Sequence, residues 1–120
     1  MFFKVKNYAA LQEALSALCA FLDRAEIPKE RVFDAKLVAC ELMSNALKYA
    51  GGETGLEGKI KDGGIELKIY SKQYFELPKT VACADLFAEH GRGLYLVNEI
   101  CKGEMKAEED GIRVRIVING

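Results

Sequence analysis

Residues 34–49 read DAKLVACELMSNALKY, and the spacing of their apolar positions predicts a helix. On a helical wheel at about 100° per residue, Asp34, Glu41, Asn45 and Lys48 fall within an arc of roughly 60°. Apolar residues occupy most of the remaining circle: Val32, Ala35, Val38, Ala39, Leu42, Met43, Ala46 and Leu47. A helix that is apolar on so many sides is normally interior. The polar side chains gathered on its one remaining edge therefore indicate that this edge lines a pocket.

A glycine turn, His90-Gly91-Arg92-Gly93-Leu94, opens a second predicted helix about forty residues later. Gly91 and Gly93 allow the backbone to approach an anion closely. The amides and the dipole at the start of a helix favour that anion, and Arg92 can add a bidentate phosphate contact. A plain loop-to-helix turn is the alternative interpretation, since a lone Gly-x-Gly is a weak signal. Together with the polar edge, the turn predicts a phosphate-binding site with a metal.

Composition sets the broad class of the protein. The chain has 120 residues, of which 50% are hydrophobic and 29% charged, and we expect a single domain over residues 1–120. The net charge of −1 implies no general attraction to nucleic acid or to an anionic membrane. No apolar run approaches the roughly 20 residues of a membrane span, and the first residues do not have the pattern of a secretory signal. We therefore expect no direct binding to nucleic acid or membrane.

Cysteine usage argues against a zinc site and suggests a compartment. Cys19, Cys40, Cys83 and Cys101 are widely and irregularly spaced, and the single histidine, His90, has no thiol near it in sequence. All but Cys83 lie in helical apolar patterns and are predicted to be small core residues. A reducing cytosol is the simplest setting for such thiols, so we expect a cytoplasmic protein.

The pattern of the whole chain predicts the element order β-α-α-β-β-loop-α-β-β. Runs of hairpins and helices in this order indicate an α+β fold, a two-layer α/β sandwich with helices on one face of a mixed, mostly antiparallel sheet. The region from Ser71 to Glu89 predicts a long connection with a short helix around Ala84–Ala88. It is interpreted either as a binding loop or lid, or as an ordinary packed excursion. The predicted strands are Phe2–Lys6, Thr54–Ile60, Ile65–Tyr70, Glu104–Glu108 and Ile112–Ile118, and the predicted helices are Tyr8–Arg24, one from Pro28 to about Ala50, and one after Gly93.

Two motifs carry a resemblance to a known family. The segment Glu41-Leu-Met-Ser-Asn45-Ala-Leu-Lys48-Tyr49 resembles the N-box of the GHKL ATPases, the group that includes histidine kinases, DNA gyrase and the anti-sigma-factor serine kinases. Residues 91–97, GRGLYLV, resemble that family's second glycine box. Two motifs in the right order and in suitable elements are fairly specific, although each alone is weak. The element order is similar to that of the GHKL, or Bergerat, fold over nearly the whole chain. The small size and the Arg-Gly-Leu form of the glycine box are most similar to the anti-sigma-factor serine kinases.

The resemblance implies a role for each polar residue of the helix and ATP with Mg²⁺ as cofactors. Asn45 would be the magnesium ligand, because a neutral carbonyl oxygen suits one place in the octahedral shell of that ion. Glu41, one turn earlier on the same face, would be the general base. Lys48, one turn later, would pair with phosphate as a point charge. A solvated helix edge is the alternative interpretation of all three. The further nucleotide-binding residues implied by the resemblance are Gly91, Arg92, Gly93 and Leu94.

One motif departs from the family pattern. Members normally carry Asp-x-Gly-x-Gly at the end of a strand after the N-box, and the aspartate accepts a hydrogen bond from the adenine amino group. The equivalent residues here are 71–75, SKQYF, so Ser71 takes the place of the aspartate, and Gln73 and Phe75 take the places of the glycines. The first glycine box is therefore degenerate. A serine hydroxyl cannot replace a carboxylate aimed at adenine, so the resemblance leaves adenine selectivity open.

Two classes of function follow from these motifs. In the first, the protein is an ATP-dependent serine kinase of the anti-sigma type, which phosphorylates or sequesters a protein in transcription control. Its partners would be an anti-anti-sigma factor and a sigma factor. In the second, the fold is a catalytically inactive protein-binding module that has lost adenine recognition. A detached catalytic domain of a histidine kinase is a third interpretation. Family members of this type usually act as homodimers, so the resemblance implies a homodimer.

Overall fold

The computed structural model describes residues 1–49, 53–71, 93–102 and 104–118. Within them the strands are antiparallel neighbours in one sheet, in the order β1-β2-β3-β5-β4. The α+β prediction with helices on one face of the sheet is confirmed. The elements are β1 (Phe2–Val5), α1 (Tyr8–Arg24), α2 (Lys29–Tyr49), β2 (Thr54–Lys61), β3 (Gly64–Ser71), α3 (Gly93–Cys101), β4 (Met105–Glu108) and β5 (Gly111–Val117).

Local sequence signals fix where the first two helices begin. The side chain of Asn7 accepts a hydrogen bond from the backbone N–H of Ala10 at 2.8 Å, so Asn7 is the N-cap of α1, as its residue type predicts. The carbonyl of Pro28 accepts hydrogen bonds from the N–H groups of Arg31 and Val32. Pro28 thus stands immediately before α2 and closes its first turn, where a residue without an N–H loses nothing.

The central hairpin has the register that its turn dictates. Asp62 and Gly63 have φ values of 52° and 74°, the left-handed conformations of a two-residue hairpin turn. Because this turn pairs Lys61 with Gly64, each earlier residue of β2 faces a later residue of β3, ending with Thr54 opposite Ser71. The two strands predicted for the hairpin are confirmed: β2 begins at Thr54 as predicted and ends one residue later, and β3 is one residue longer at each end.

The core lies between one face of the sheet and the three helices. Helix α2 packs over β2, β3 and β5, α3 packs over β5 and α2, and α1 packs against α2 and β1. The sheet contributes the alternate apolar residues of its strands, as the period of two predicts. These include Val5, Leu56, Ile65, Leu67, Ile69, Ile112, Val114 and Ile116.

The other face of the sheet carries charged and aromatic side chains. Phe2 and Tyr70 meet edge to face with their ring centres 5.6 Å apart, and Nζ of Lys68 lies 4.7 Å from the centre of the Tyr70 ring. Arg115 donates hydrogen bonds from its guanidinium to the carbonyls of Lys61 and Asp62, at 3.0 and 2.7 Å. Among the described residues, this face is therefore held by polar and aromatic contacts.

Several predictions lie outside the described residues. They are the long connection after Ser71, the short helix around Ala84–Ala88, and the positions of Cys83, His90, Gly91 and Arg92. Of the other cysteines, Cys101 is buried, and Cys19 and Cys40 are half-buried and pack against the core. No helix among the described residues is both long and apolar enough to cross a membrane.

Candidate functional site

The polar edge predicted for α2 exists. Glu41 and Asn45 lie one turn apart on the same side of the helix and are both half-buried, while Lys48 one turn later is exposed. The side of the helix that faces the sheet and the other helices is covered, whereas Phe33 and Lys36 on another side are exposed. Its fully covered side chains are Val32, Ala35, Val38, Ala39, Leu42, Met43 and Ala46.

The polar atoms of Glu41 and Asn45 do not help to hold the described part of the fold together. Neither side chain makes a hydrogen bond or an ion pair with another residue in the described ranges. A half-buried amide and carboxylate have lost part of their hydration, and no described residue compensates them with a hydrogen bond. Their arrangement leaves both groups available to a ligand that approaches this edge.

Asp34 lies on the same edge, but its side chain, unlike those of Glu41 and Asn45, has an ion-pair partner among the described residues. Its carboxylate forms an ion pair with the guanidinium of Arg31 one turn earlier. The two residues also line a cavity of about 180 Å³ at the start of α2, together with Glu99 and Cys101 from the end of α3. Asp34 is therefore already paired and lies at the opposite end of α2 from Asn45.

The same cavity shows how α3 is oriented. Helix α3 packs against α2, and its last residue, Cys101, shares a cavity with Asp34 near the start of α2. The last residue of α3 therefore lies near the start of α2, at the opposite end of α2 from Asn45. Gly93 and Leu94 have helical backbone and begin α3, so the first backbone amides of this helix have no partner within it.

A second polar group lies at the end of the central hairpin. Ser71 ends β3, and its side chain shares the helix-facing side of the sheet with Ile65, Leu67 and Ile69, because strand side chains alternate. Ser71 is 9% exposed, and Thr54, directly opposite on β2, is 6% exposed. The hydroxyl of Thr54 donates to the carbonyl of Tyr70 at 2.6 Å.

Sequence reasoning missed Thr54, although a signal for it exists. The Asp-Gly turn fixes the register of the hairpin, and counting back from that turn places Thr54 opposite Ser71. The contact between Ser71 and the distant turn of β4 and β5 has no such signal. There the N–H of Ser71 donates to the carbonyl of Asp110 at 2.9 Å.

The turn between β4 and β5 is fixed from the outer face of the sheet. Nζ of Lys68 lies 2.7 Å from a carboxylate oxygen of Asp110 and 3.1 Å from one of Glu108. The hydrogen bond to Asp110, followed by that to Glu108, raises the pKa of Lys68, and burial opposes this in part. The hydrogen bond from Lys68 lowers the pKa of both carboxyls, and Arg113 lowers that of Glu108 further.

The comparison with family models decides the class of this domain. The model of the histidine kinase-like ATPase domain matches residues 5–118. The chain belongs to this family. A comparison with curated proteins found no match. This membership agrees with the observed two-layer arrangement of a five-stranded antiparallel sheet and helices. It supports ATP binding as the general property of the site.

The residues present fit the phosphate and metal end of Mg-ATP better than its base. No group of three or more His, Cys, Asp or Glu side chains in the described ranges could hold a metal ion alone. A magnesium ion here would need phosphate oxygens and waters beside the amide oxygen of Asn45, which is its usual environment. At the end of β3 lies the neutral side chain of Ser71, in the place where the resemblance implies that family members carry an acceptor carboxylate for adenine.

Proposed function

We propose that this domain binds Mg-ATP and acts on a protein partner as a serine kinase of the anti-sigma type. The single observation that carries the proposal is the pair Glu41 and Asn45, adjacent on a half-buried helix edge and without partners among the described residues. A pair kept only for stability would be expected to make contacts within the protein.

Each residue of the edge has a defined task in this proposal. Mg-ATP, when bound, supplies the transferable phosphoryl group and the cation that neutralises its charge. Asn45 would hold the magnesium ion, and Lys48 with the glycine turn at Gly91, Arg92, Gly93 and Leu94 would hold the phosphates. Glu41 would accept the proton of the attacking serine hydroxyl of an anti-anti-sigma factor. A sigma factor would be the second partner, bound by a homodimer of this chain in the cytoplasm.

Ser71 favours a second candidate function. The hydroxyl at the end of β3 lacks the charge that would read the adenine amino group, so weak or absent ATP binding would leave a protein-binding module of the same fold. In that function the α2 edge would be part of a regulatory surface, and neither Glu41 nor Asn45 would act on a nucleotide.

Calorimetric titration with ATP, with and without Mg²⁺, separates the two functions. The proteins to compare are the native chain, the variant Asn45→Ala and the control Ser44→Ala. The control removes a half-buried polar group from the position of α2 directly before Asn45. Binding that requires both Mg²⁺ and Asn45, and that survives Ser44→Ala, supports the kinase. No binding at millimolar ATP rejects it and favours the protein-binding module.

A further inference from the structure

The outer face of the sheet, opposite the helices, has an uneven distribution of charge. Strand side chains alternate between the two faces, so the register assigns each one to a face. The exposed charged side chains of the described strands on this face are all lysines: Lys4, Lys59, Lys61 and Lys106. The whole chain has a net charge of −1, so a basic face reflects where the charges are placed and not their overall number.

The carboxylates of the same strands do not balance these lysines at the surface. All three are half-buried: Glu57, Glu66 and Glu108. Glu108 already binds Lys68 and Arg113. Glu66 lies directly opposite Arg115 in the register of β3 and β5. The charge that this face presents to a partner is therefore positive.

One end of the outer face has an apolar hollow beside a glycine. This cavity of about 200 Å³ is lined in part by Phe2, Lys4, Gly55 and Tyr70. A Cβ on Gly55 would lie 3.4 Å from the ring of Phe2 and 3.6 Å from Cβ of Tyr70, so the glycine leaves open a space that a side chain would occupy. Sites for small molecules are typically larger, at roughly 300 to 1,000 Å³. The hollow therefore suits one apolar side chain better than a free ligand.

We propose that the outer face of the sheet docks an acidic segment of a protein partner, with one apolar side chain of that segment seated in the hollow beside Gly55. Complementary charge guides such a segment to the lysines. The buried apolar side chain serves as the anchor of the contact. The surface lies on the side of the sheet opposite α2, so its use does not depend on the proposed nucleotide site.

The same observations disfavour two other occupants. A second copy of this chain, meeting it face to face, would bring like charges together at a cost in free energy. A nucleic acid strand would need free aromatic faces for stacking. Here the Tyr70 ring packs against Phe2 and has Nζ of Lys68 4.7 Å from its centre. The hollow also includes Glu53 and Asp110 in its lining, and their carboxylates would repel a phosphate.

A labelled Glu-rich peptide with one central Phe, titrated with the full chain and followed by fluorescence anisotropy, tests the proposal. The double variant Lys4→Glu with Lys61→Glu should weaken binding about tenfold or more at physiological salt. Both lysines face glycines across the strands, so the new carboxylates meet no carboxylate there. The matched control is Lys29→Glu with Lys36→Glu, which makes the same change of charge at exposed positions of α2 and should leave affinity within about twofold.

The hollow has its own variant. Gly55→Ala adds a methyl group at ordinary contact distances, so it should fold normally and take up part of the cavity. It should weaken the Phe peptide severalfold and leave unchanged the weaker binding of a peptide with Ala in place of Phe. Equal weakening of the two peptides would show that the hollow holds no anchor and would overturn the proposal.

The remaining outcomes also decide the proposal. It is overturned if no peptide binds at millimolar concentration, or if both double variants lose affinity equally. It is also overturned if the lysine variants instead dissociate a native dimer in sedimentation, or if oligouridine binds more tightly than the peptide. Should the variant at Lys4 and Lys61 not fold, Gly55→Ala and the two peptides still decide. None of these measurements uses a nucleotide, so failure here leaves the proposed function standing.

Discussion

The ammonium group of Lys68 lies 2.7 Å from the carboxylate of Asp110, while the backbone carbonyl of Asp110 accepts the N–H of Ser71 at 2.9 Å. One residue of the β4–β5 turn therefore joins the charged outer face of the sheet to the end of β3. Through Asp110, a contact on the face opposite the helices positions the backbone of Ser71.

This ion pair predicts how stability changes with pH. Because the pKa values of Asp110 and Glu108 are lowered in the fold, their contribution is present above about pH 4 and is lost as pH falls through the lowered values. Because the pKa of Lys68 is raised, its contribution is present below about pH 10 and is lost as pH rises through the raised value.

Lys68→Met should therefore lower the melting temperature near neutral pH and have a smaller effect below about pH 3. Lys106→Met is the control, because Lys106 is exposed on β4 and has no ion pair among the described residues. Thermal melts from pH 2 to pH 8 measure both. A loss in Lys68→Met that is the same at every pH would show that the side chain acts by packing alone.

Substitution by alanine should destabilise the protein much more at Gly111 than at Gly63. A Cβ at Gly111 would lie 2.0 Å from the carbonyl oxygen of Ile69, whereas a Cβ at Gly63 meets nothing within 4 Å. Gly111→Ala should lower the free energy of unfolding by about 3 kcal/mol or more, and Gly63→Ala, with φ of 74°, by about 1 kcal/mol. Urea denaturation compares them, and equal losses would contradict the close approach of β5 to β3.

Substitution of Glu41 should slow phosphoryl transfer and leave nucleotide binding nearly unchanged. Glu41→Gln keeps the size of the side chain but removes the base, so Mg-ATP affinity should stay within about threefold while phosphoryl transfer to a serine falls roughly 100- to 10,000-fold. Lys48→Met should instead weaken nucleotide binding, and less so at high salt, because Lys48 is exposed. Transfer that continues unchanged in Glu41→Gln would exclude Glu41 as the base.

The thiols should differ in reactivity. Burial raises the pKa of Cys101 to about 12, so almost none of it is thiolate at neutral pH. Cys19 and Cys40 are half-buried. Iodoacetamide at pH 7.5 should modify Cys101 more slowly than Cys19 and Cys40 in the native protein and equally fast in urea, as read by peptide mass spectrometry. Early modification of Cys101 would mean that the end of α3 opens readily.

Much of the architecture could be predicted from local signals. Asn7 caps α1 because its side chain accepts the N–H of Ala10, three residues away. The Asp62-Gly63 turn sets the whole β2–β3 register through conformations that those two residues adopt readily. The polar edge of α2 follows from a spacing of three or four residues on a 3.6-residue period. Each of these depends on residues close together in the chain.

The sequence by itself therefore determined the elements, the α+β class, and the edge with Glu41 and Asn45. Only the tertiary structure decided that the end of α3 lies near the start of α2 and that Asp110 contacts both Lys68 and Ser71. The N–H of Ser71 and the carbonyl of Asp110 are far apart in the chain, and no local pattern specifies such a contact. It forms because β5 pairs with β3, which buries apolar side chains from both strands and brings the β4–β5 turn to the end of β3.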